Sequence, residues 1–217
     1  MFVDLSFPIE DGMATLPGVL PEAHVGAYLD HEASRDRYQG KAEFYLGRME
    51  MAGNTATYLD APFHRHKDAG DLSTYELEQL AGLPGIVVDA SPEFAAVELG
   101  LAAEEIRGHA VLFRTGWDGR WPGEDYWKED PFLSEETSEE LVRAGAALVG
   151  VDFSNVDDTT DPARPAHTAL LGAGIPIVEH LRGLEALPRE GFRFFAVSPR
   201  VVGGASFPVR AFAELPG

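Results

Sequence analysis

The densest group of side chains able to do chemistry lies in the segment from Asn54 to His66 (Asn-Thr-Ala-Thr-Tyr-Leu-Asp-Ala-Pro-Phe-His-Arg-His). If Asn54 to Asp60 is extended, then Asn54, Ala56, Tyr58 and Asp60 share one face, because strand side chains repeat every second residue. Three of those four carry oxygen donors. Pro62 ends such a strand, and His64 then folds back from the loop. A second group surrounds His167 and Glu179. His167 opens a short helix after Pro165, and Glu179 closes an apolar strand, where packing gives a carboxylate no reason to sit. Asp152 ends another buried strand, with Ser154 just beyond. Taken one at a time these residues have structural explanations: a strand-end carboxylate such as Asp152 caps the next helix, and a histidine near proline is usually solvated. Taken together, Asp60, His64, His167 and Glu179 are the mixed oxygen and imidazole donors that a divalent hydrolytic metal uses.

The elements that must hold these residues follow from the apolar pattern. The first third reads as β-rich, with a strand over Phe2–Phe7 ended by Pro8 and a period-two stretch within Phe44–Met51. From about residue 73 the pattern alternates between helix and strand. Ser73-Thr74-Tyr75-Glu76 has capping-box spacing and predicts a short helix reaching Leu80. Gly85–Asp89, Ala110–Arg114, Ala147–Asp152, Ile175–Val178 and Phe192–Val197 are compact apolar runs suited to buried strands. Ser134-Glu135-Glu136 loads a helix N-terminus with acid, and that helix runs to about Ala144. A shorter helix falls around Thr168–Leu171. This alternation implies an α/β fold with a largely parallel or mixed sheet, in which sites form at the carboxyl ends of strands. The loop Thr115–Pro131 holds all three tryptophans; it is either a lid or interface, or a loop tacked to its own domain.

Composition sets the outer limits. The chain has 217 residues and a net charge of −19, from 36 acidic against 17 basic residues. That length suits one domain, 1–217, with a proper core. The charge argues against nucleic acid and anionic membrane as partners, and no apolar run reaches the length of a membrane span. The acidic N-terminal residues lack the basic n-region of a signal peptide, so a cytoplasmic location is expected. With no cysteine, disulfides, thiolate zinc sites and thiol nucleophiles are all absent.

Asn54–His64 resembles the metal motif of the cyclase/kynurenine formamidase family of metal-dependent hydrolases, which reads His-x-Gly-Thr-His-x-Asp-Ala-Pro-x-His. Gly12-Met13 with Pro17-Gly18, Phe113–Trp117, Val149–Ser154 and the His167…Ile175-Pro176-Ile177-Val178-Glu179 segment agree in order. The resemblance implies a single domain of the swivelling β/β/α type, a homodimer or homotetramer, and a small-molecule substrate. It makes Asp60 a bridging metal ligand, His167 and Glu179 further ligands, and His64 the acid/base. The departures are Asn54 and Tyr58, where the family has two histidine ligands, and Ala56 at the motif glycine. Leu16 stands where formamidases of aromatic substrates often carry an aromatic residue.

Loss of two imidazoles should empty the first of the family's two metal sites or shift it toward a harder cation, since an Asn carbonyl is a weak donor and a Tyr phenol deprotonates only near ~10. The expectation is one Zn or Mn on Asp60, His167 and Glu179. The expected reaction is hydrolysis of an amide, cyclic amide or ester, in which the metal acidifies bound water and His64 moves the proton. Tyr58 could donate to the developing oxyanion, with His66 a reserve base. Two rivals use the same scaffold: a non-catalytic small-molecule-binding protein, and a dehydratase or cyclase.

Overall fold

Apolar runs rich in valine, leucine and isoleucine become the buried centre of the molecule. In the computed structural model, which describes residues 1–90 and 96–217, the strands are β1 (Phe2–Asp4), β2 (His24–Leu29), β3 (Leu46–Glu50), β4 (Tyr58–Asp60), β5 (Ala81–Asp89), β6 (Ala96–Val97), β7 (Ala110–Arg114), β8 (Phe132–Leu133), β9 (Leu148–Val151), β10 (Ile177–Glu179), β11 (Glu190–Phe195), β12 (Ser206–Pro208) and β13 (Phe212–Glu214). The helices are α1 (His31–Arg37), α2 (Ala103–Ile106), α3 (Glu135–Ala144) and α4 (Pro165–Gly172). Nine strands form one mixed sheet in the order β1-β13-β11-β5-β7-β9-β10-β4-β12. In this sheet β5, β7, β9 and β10 run parallel and the other five strands are antiparallel to their neighbours.

Period-two alternation sorts the central strands into two cores, one on each face. Val88, Val111, Phe113, Val149, Val151 and Ile177 face a core completed by Leu141 of α3 and Leu170 of α4. Val87, Leu112, Leu148 and Val178 face the other, together with Leu5, Leu59 and Leu181. Both faces are covered, as parallel strands require. Ser134 caps α3 by accepting from the Thr137 amide, and Gly145 ends it at φ 80°, a left-handed value that suits glycine.

Several elements differ from the sequence expectation for identifiable reasons. The single helix from Ser73 is instead two 3₁₀ turns, Leu72–Thr74 and Leu77–Gln79, because Tyr75 between them is extended. Asp71, not Ser73, caps the first; it accepts from the Ser73 amide at 2.9 Å. α4 starts at Pro165, three residues early, with proline at its first position. The strand predicted over Asn54–Asp60 is regular only from Tyr58, because Ala56 sits at φ 54°. The tryptophan loop folds on its own chain: the Trp117 indole donates to the Tyr126 carbonyl at 2.9 Å, and Trp121 stacks on Phe7 at 4.7 Å. Among the described residues no helix is long and apolar enough to cross a membrane.

Candidate active site

Register builds the site. β4 lies between β10 and β12, with Tyr58 opposite Glu179 and Asp60 opposite Ser206. Directly opposed residues on one face touch, so the cross-strand pairs become side-chain hydrogen bonds. The Tyr58 hydroxyl donates to Glu179 Oε2, and the Ser206 hydroxyl donates to Asp60 Oδ1. Asn54, reaching in from the loop, adds its amide to the same Asp60 oxygen at 3.2 Å. Gly53 precedes it, and a Cβ there would collide with the Ser206 carbonyl. The Asn54 loop therefore lies directly on β12. The site sits on the face that α4 covers, at the β10–β4–β12 flank, so only Glu179 obeys the rule that sites form at carboxyl ends of parallel strands.

His167 enters from the first turn of α4. Asp157 fixes it at three points, accepting from the Ala166 amide (2.6 Å), the His167 amide (3.1 Å) and His167 Nδ1 (2.5 Å). With Nδ1 held, Nε2 is left facing Asp60 Oδ2 at 3.7 Å and Glu179 Oε1 at 3.8 Å. Asp60 is fully buried, yet its Oδ2 has no hydrogen-bond partner. A buried carboxylate oxygen left bare is costly unless a cation completes it. Ligands about 2.1 Å from a shared ion in tetrahedral array stand about 3.4 Å apart, close to these separations. The residues fit a divalent metal. Held by a carboxylate at one nitrogen and open at the other, His167 has the orientation typical of metal-binding imidazoles.

The electrostatics point the same way. Burial alone would lower the His167 pKa, but the bond to Asp157 and the charges of Asp60 and Glu179 outweigh it and raise it to about 10. Burial pushes Glu179 up to about 7, against the pull of His167. Burial and the neighbouring carboxylates also hold the Tyr58 phenol well above its ordinary value, so it stays protonated. Three carboxylates thus surround a slot that favours one positive charge, which a proton on His167 or a metal ion can supply.

His64 lies on the 3₁₀ turn Pro62–His64, with its side chain one-third exposed. Its Nδ1 is 3.2 Å from Ser206 Oγ. The Ser206 proton is already given to Asp60, so Ser206 accepts from His64 Nδ1–H, which leaves a lone pair on Nε2. Asp60, His64 and His167 each offer a ligand atom within 4.8 Å of the others. Glu179 approaches only through His167, with Oε1 also accepting from the Val156 amide at 2.7 Å. His66 is not at the site; its Nε2 contacts the Thr168 carbonyl at 3.2 Å. Asp152 caps no helix. It accepts from the Thr115 and Gly116 amides, both at 2.8 Å, and from the Thr115 hydroxyl at 2.6 Å, and Ser154 donates to Asp130. Sequence reasoning missed Asp157, whose only signal was its place ten residues before His167. It also missed Ser206, which had none.

A mixed-sheet α/β scaffold here carries buried carboxylates and an oriented imidazole around one cation-sized slot. The Cyclase family model matches residues 3–158, and the chain belongs to that family. A kynurenine formamidase of Salinibacter ruber is 31% identical over 182 residues, covering 81% of this chain and 82% of that protein. One from Erythrobacter litoralis is 32% identical over 173 residues, covering 79% and 78%. In fold the chain is similar to isatin hydrolase A from Labrenzia aggregata, with TM-score 0.85 and 22% identity, covering 99% of this chain and 93% of that one.

Proposed function

We propose that the protein hydrolyses an amide, cyclic amide or ester bond of a small molecule, using zinc or manganese on Asp60, His167 and Glu179 and His64 as the proton carrier. The observation that carries this reading is the bare, buried Asp60 Oδ2 facing His167 Nε2. When bound, a divalent cation there supplies Lewis acidity toward water and a substrate carbonyl. The chain's own residues do the rest. With Nδ1–H directed at Ser206, neutral His64 carries its lone pair on Nε2, able to take the proton of the attacking water and return it to the leaving nitrogen or oxygen. The Tyr58 proton is committed to Glu179, so Tyr58 serves first to hold that carboxylate, and an oxyanion role requires it to change partner. The names of the relatives, kynurenine formamidase and isatin hydrolase, support the amide class.

A second arrangement, with His64 in place of Glu179 as third ligand, is favoured by the mutual closeness of Asp60, His64 and His167. Metal content and hydrolysis of aryl formamides and cyclic amides, measured on His64→Ala and His167→Ala, separate the cases. His167→Ala should lose metal and activity, while His64→Ala should keep metal and lose activity. Metal loss in His64→Ala selects the second arrangement. Full metal and unchanged hydrolysis in both variants sinks the reading. The β2–β3 hairpin leaves Tyr28 70% and Met49 67% exposed, and exposed apolar side chains of this size support a homodimer or homotetramer.

A further inference from the structure

The cavity above the site, about 260 Å³, has two unlike sides. Leu16 and Leu20 make it apolar, and Arg65, Asn155 and Arg164 line it near His64 and His167. Among the described residues six of the 14 arginines (Arg35, Arg48, Arg114, Arg143, Arg189 and Arg210) pair with a carboxylate. Arg65 and Arg164 are among the eight that do not, and they are the two that line this cavity. Arg65 is instead fixed to the start of α4, donating from Nε to the Thr168 hydroxyl (2.9 Å) and from Nη2 to the Ala163 carbonyl (3.3 Å). Arg164 makes one long contact, Nη1 to the Asp158 carbonyl at 3.5 Å, while the Asp158 carboxylate is spent on Thr160. Arg164 is also held at φ 50° and ψ 60°, a left-handed conformation strained for any residue but glycine. Such strain concentrates at ligand-binding positions.

We propose that Arg65 and Arg164 receive a carboxylate of the substrate, so that the substrate class is an anionic amide or ester whose apolar part lies against Leu16 and Leu20. A guanidinium matches a carboxylate in shape and charge, and of its five N–H donors Arg65 keeps three free and Arg164 four. Glu179 lines the cavity, with Asp60 and Asp157 buried behind it against His167, and these carboxylates repel an anion. The two arginines that line the cavity offset that repulsion. The reaction assigned to this substrate rests on the hydrolase reading, whereas its binding does not.

Calorimetry with phenylacetate and its neutral isostere phenylacetamide tests the inference. The proteins are wild type with and without zinc, Arg65→Ala and Arg164→Ala, with matched thermal melts. Wild type should bind phenylacetate at least about tenfold tighter than phenylacetamide with or without zinc. Arg164→Ala should lose about tenfold on phenylacetate and less than about twofold on phenylacetamide, and Arg65→Ala should move the same way. If Arg164→Ala melts early, Arg65→Ala, outside the helix, carries the test. Equal affinities in wild type, or a preference that survives in both variants, overturns the proposal. A preference that disappears on metal removal alone also overturns it, since the ion is then the carboxylate receptor. Hydrolysis of an aryl formamide is measured separately, so a dead enzyme with intact carboxylate preference refutes the function and not the binding site.

Discussion

Asp157 touches neither cavity nor proposed metal, yet the geometry gives it control over both. Its Oδ2 takes the His167 Nδ1 proton at 2.5 Å and the His167 amide at 3.1 Å, and its Oδ1 takes the Ala166 amide at 2.6 Å. Asp157→Asn keeps the size and one acceptor. With the amide oxygen left on Ala166, the new NH₂ faces Nδ1 and forces the hydrogen of neutral His167 onto Nε2. That nitrogen then has no lone pair to offer in the slot shared with Asp60 and Glu179. The substitution also removes one of the three negative charges around the slot. Losses of this kind reach tenfold to hundredfold in metal affinity, or about 1.4–2.7 kcal/mol.

The assay is zinc affinity by competition with a chromophoric chelator, alongside the His167 tautomer read from long-range ¹H–¹⁵N spectra. Without metal, the new donor-to-donor contact should cost about 1–3 kcal/mol, or about 2–4 °C of melting temperature per kcal/mol for a chain of this size. Asp157→Glu, which keeps the charge but displaces it, should fall between. If Asp157→Asn binds zinc as wild type does while its spectra show the Nε2–H tautomer, His167 is not a ligand and the argument fails. If the tautomer is unchanged, Asp157 does not orient the ring.

In the Asn54→His/Tyr58→His double variant, imidazole lone pairs replace the hydrogen-bond donors now aimed at Asp60 and Glu179; elemental analysis should rise from about one metal per chain toward two, and an unchanged count refutes a lost second site. Burial raises Asp152 from 3.8 to about 7. The folded state therefore holds that proton more tightly than the unfolded chain, and stability falls as pH rises from about 4 to 7, by at most about 4 kcal/mol. Asp152→Asn can keep its oxygen on the Thr115 and Gly116 amides and donate to the Thr115 hydroxyl. Urea midpoints of the metal-free proteins should show that part of the slope missing from the variant, and parallel curves would contradict the buried-acid account. Tyr28→Glu/Met49→Glu should shift sedimentation toward monomer, and an unmoved oligomer places the interface elsewhere.

What the sequence disclosed and what it hid divide along a physical line. The parallel centre was legible because a strand buried on both faces is apolar along its buried length, as β7 is from Ala110 to Phe113 and β9 is throughout. The residue types at the slot were legible because a carboxylate at the end of such a strand, Glu179, lacks a packing reason. Period-two spacing correctly put Tyr58 and Asp60 on one face and failed for Asn54, since Ala56 leaves the strand geometry and Asn54 arrives by a loop. Residues that act through others left almost no trace: Ser206 lies 146 positions from Asp60, and nothing in its neighbourhood marks it as the hydroxyl that donates to Asp60 and accepts from His64. At the two positions where the family has histidines, Tyr58 and Asn54 donate hydrogens to Glu179 and Asp60, carboxylates that a cation would otherwise neutralise. The remaining bare oxygen, Asp60 Oδ2, is the one place where neither a proton donor nor a side chain has taken that role.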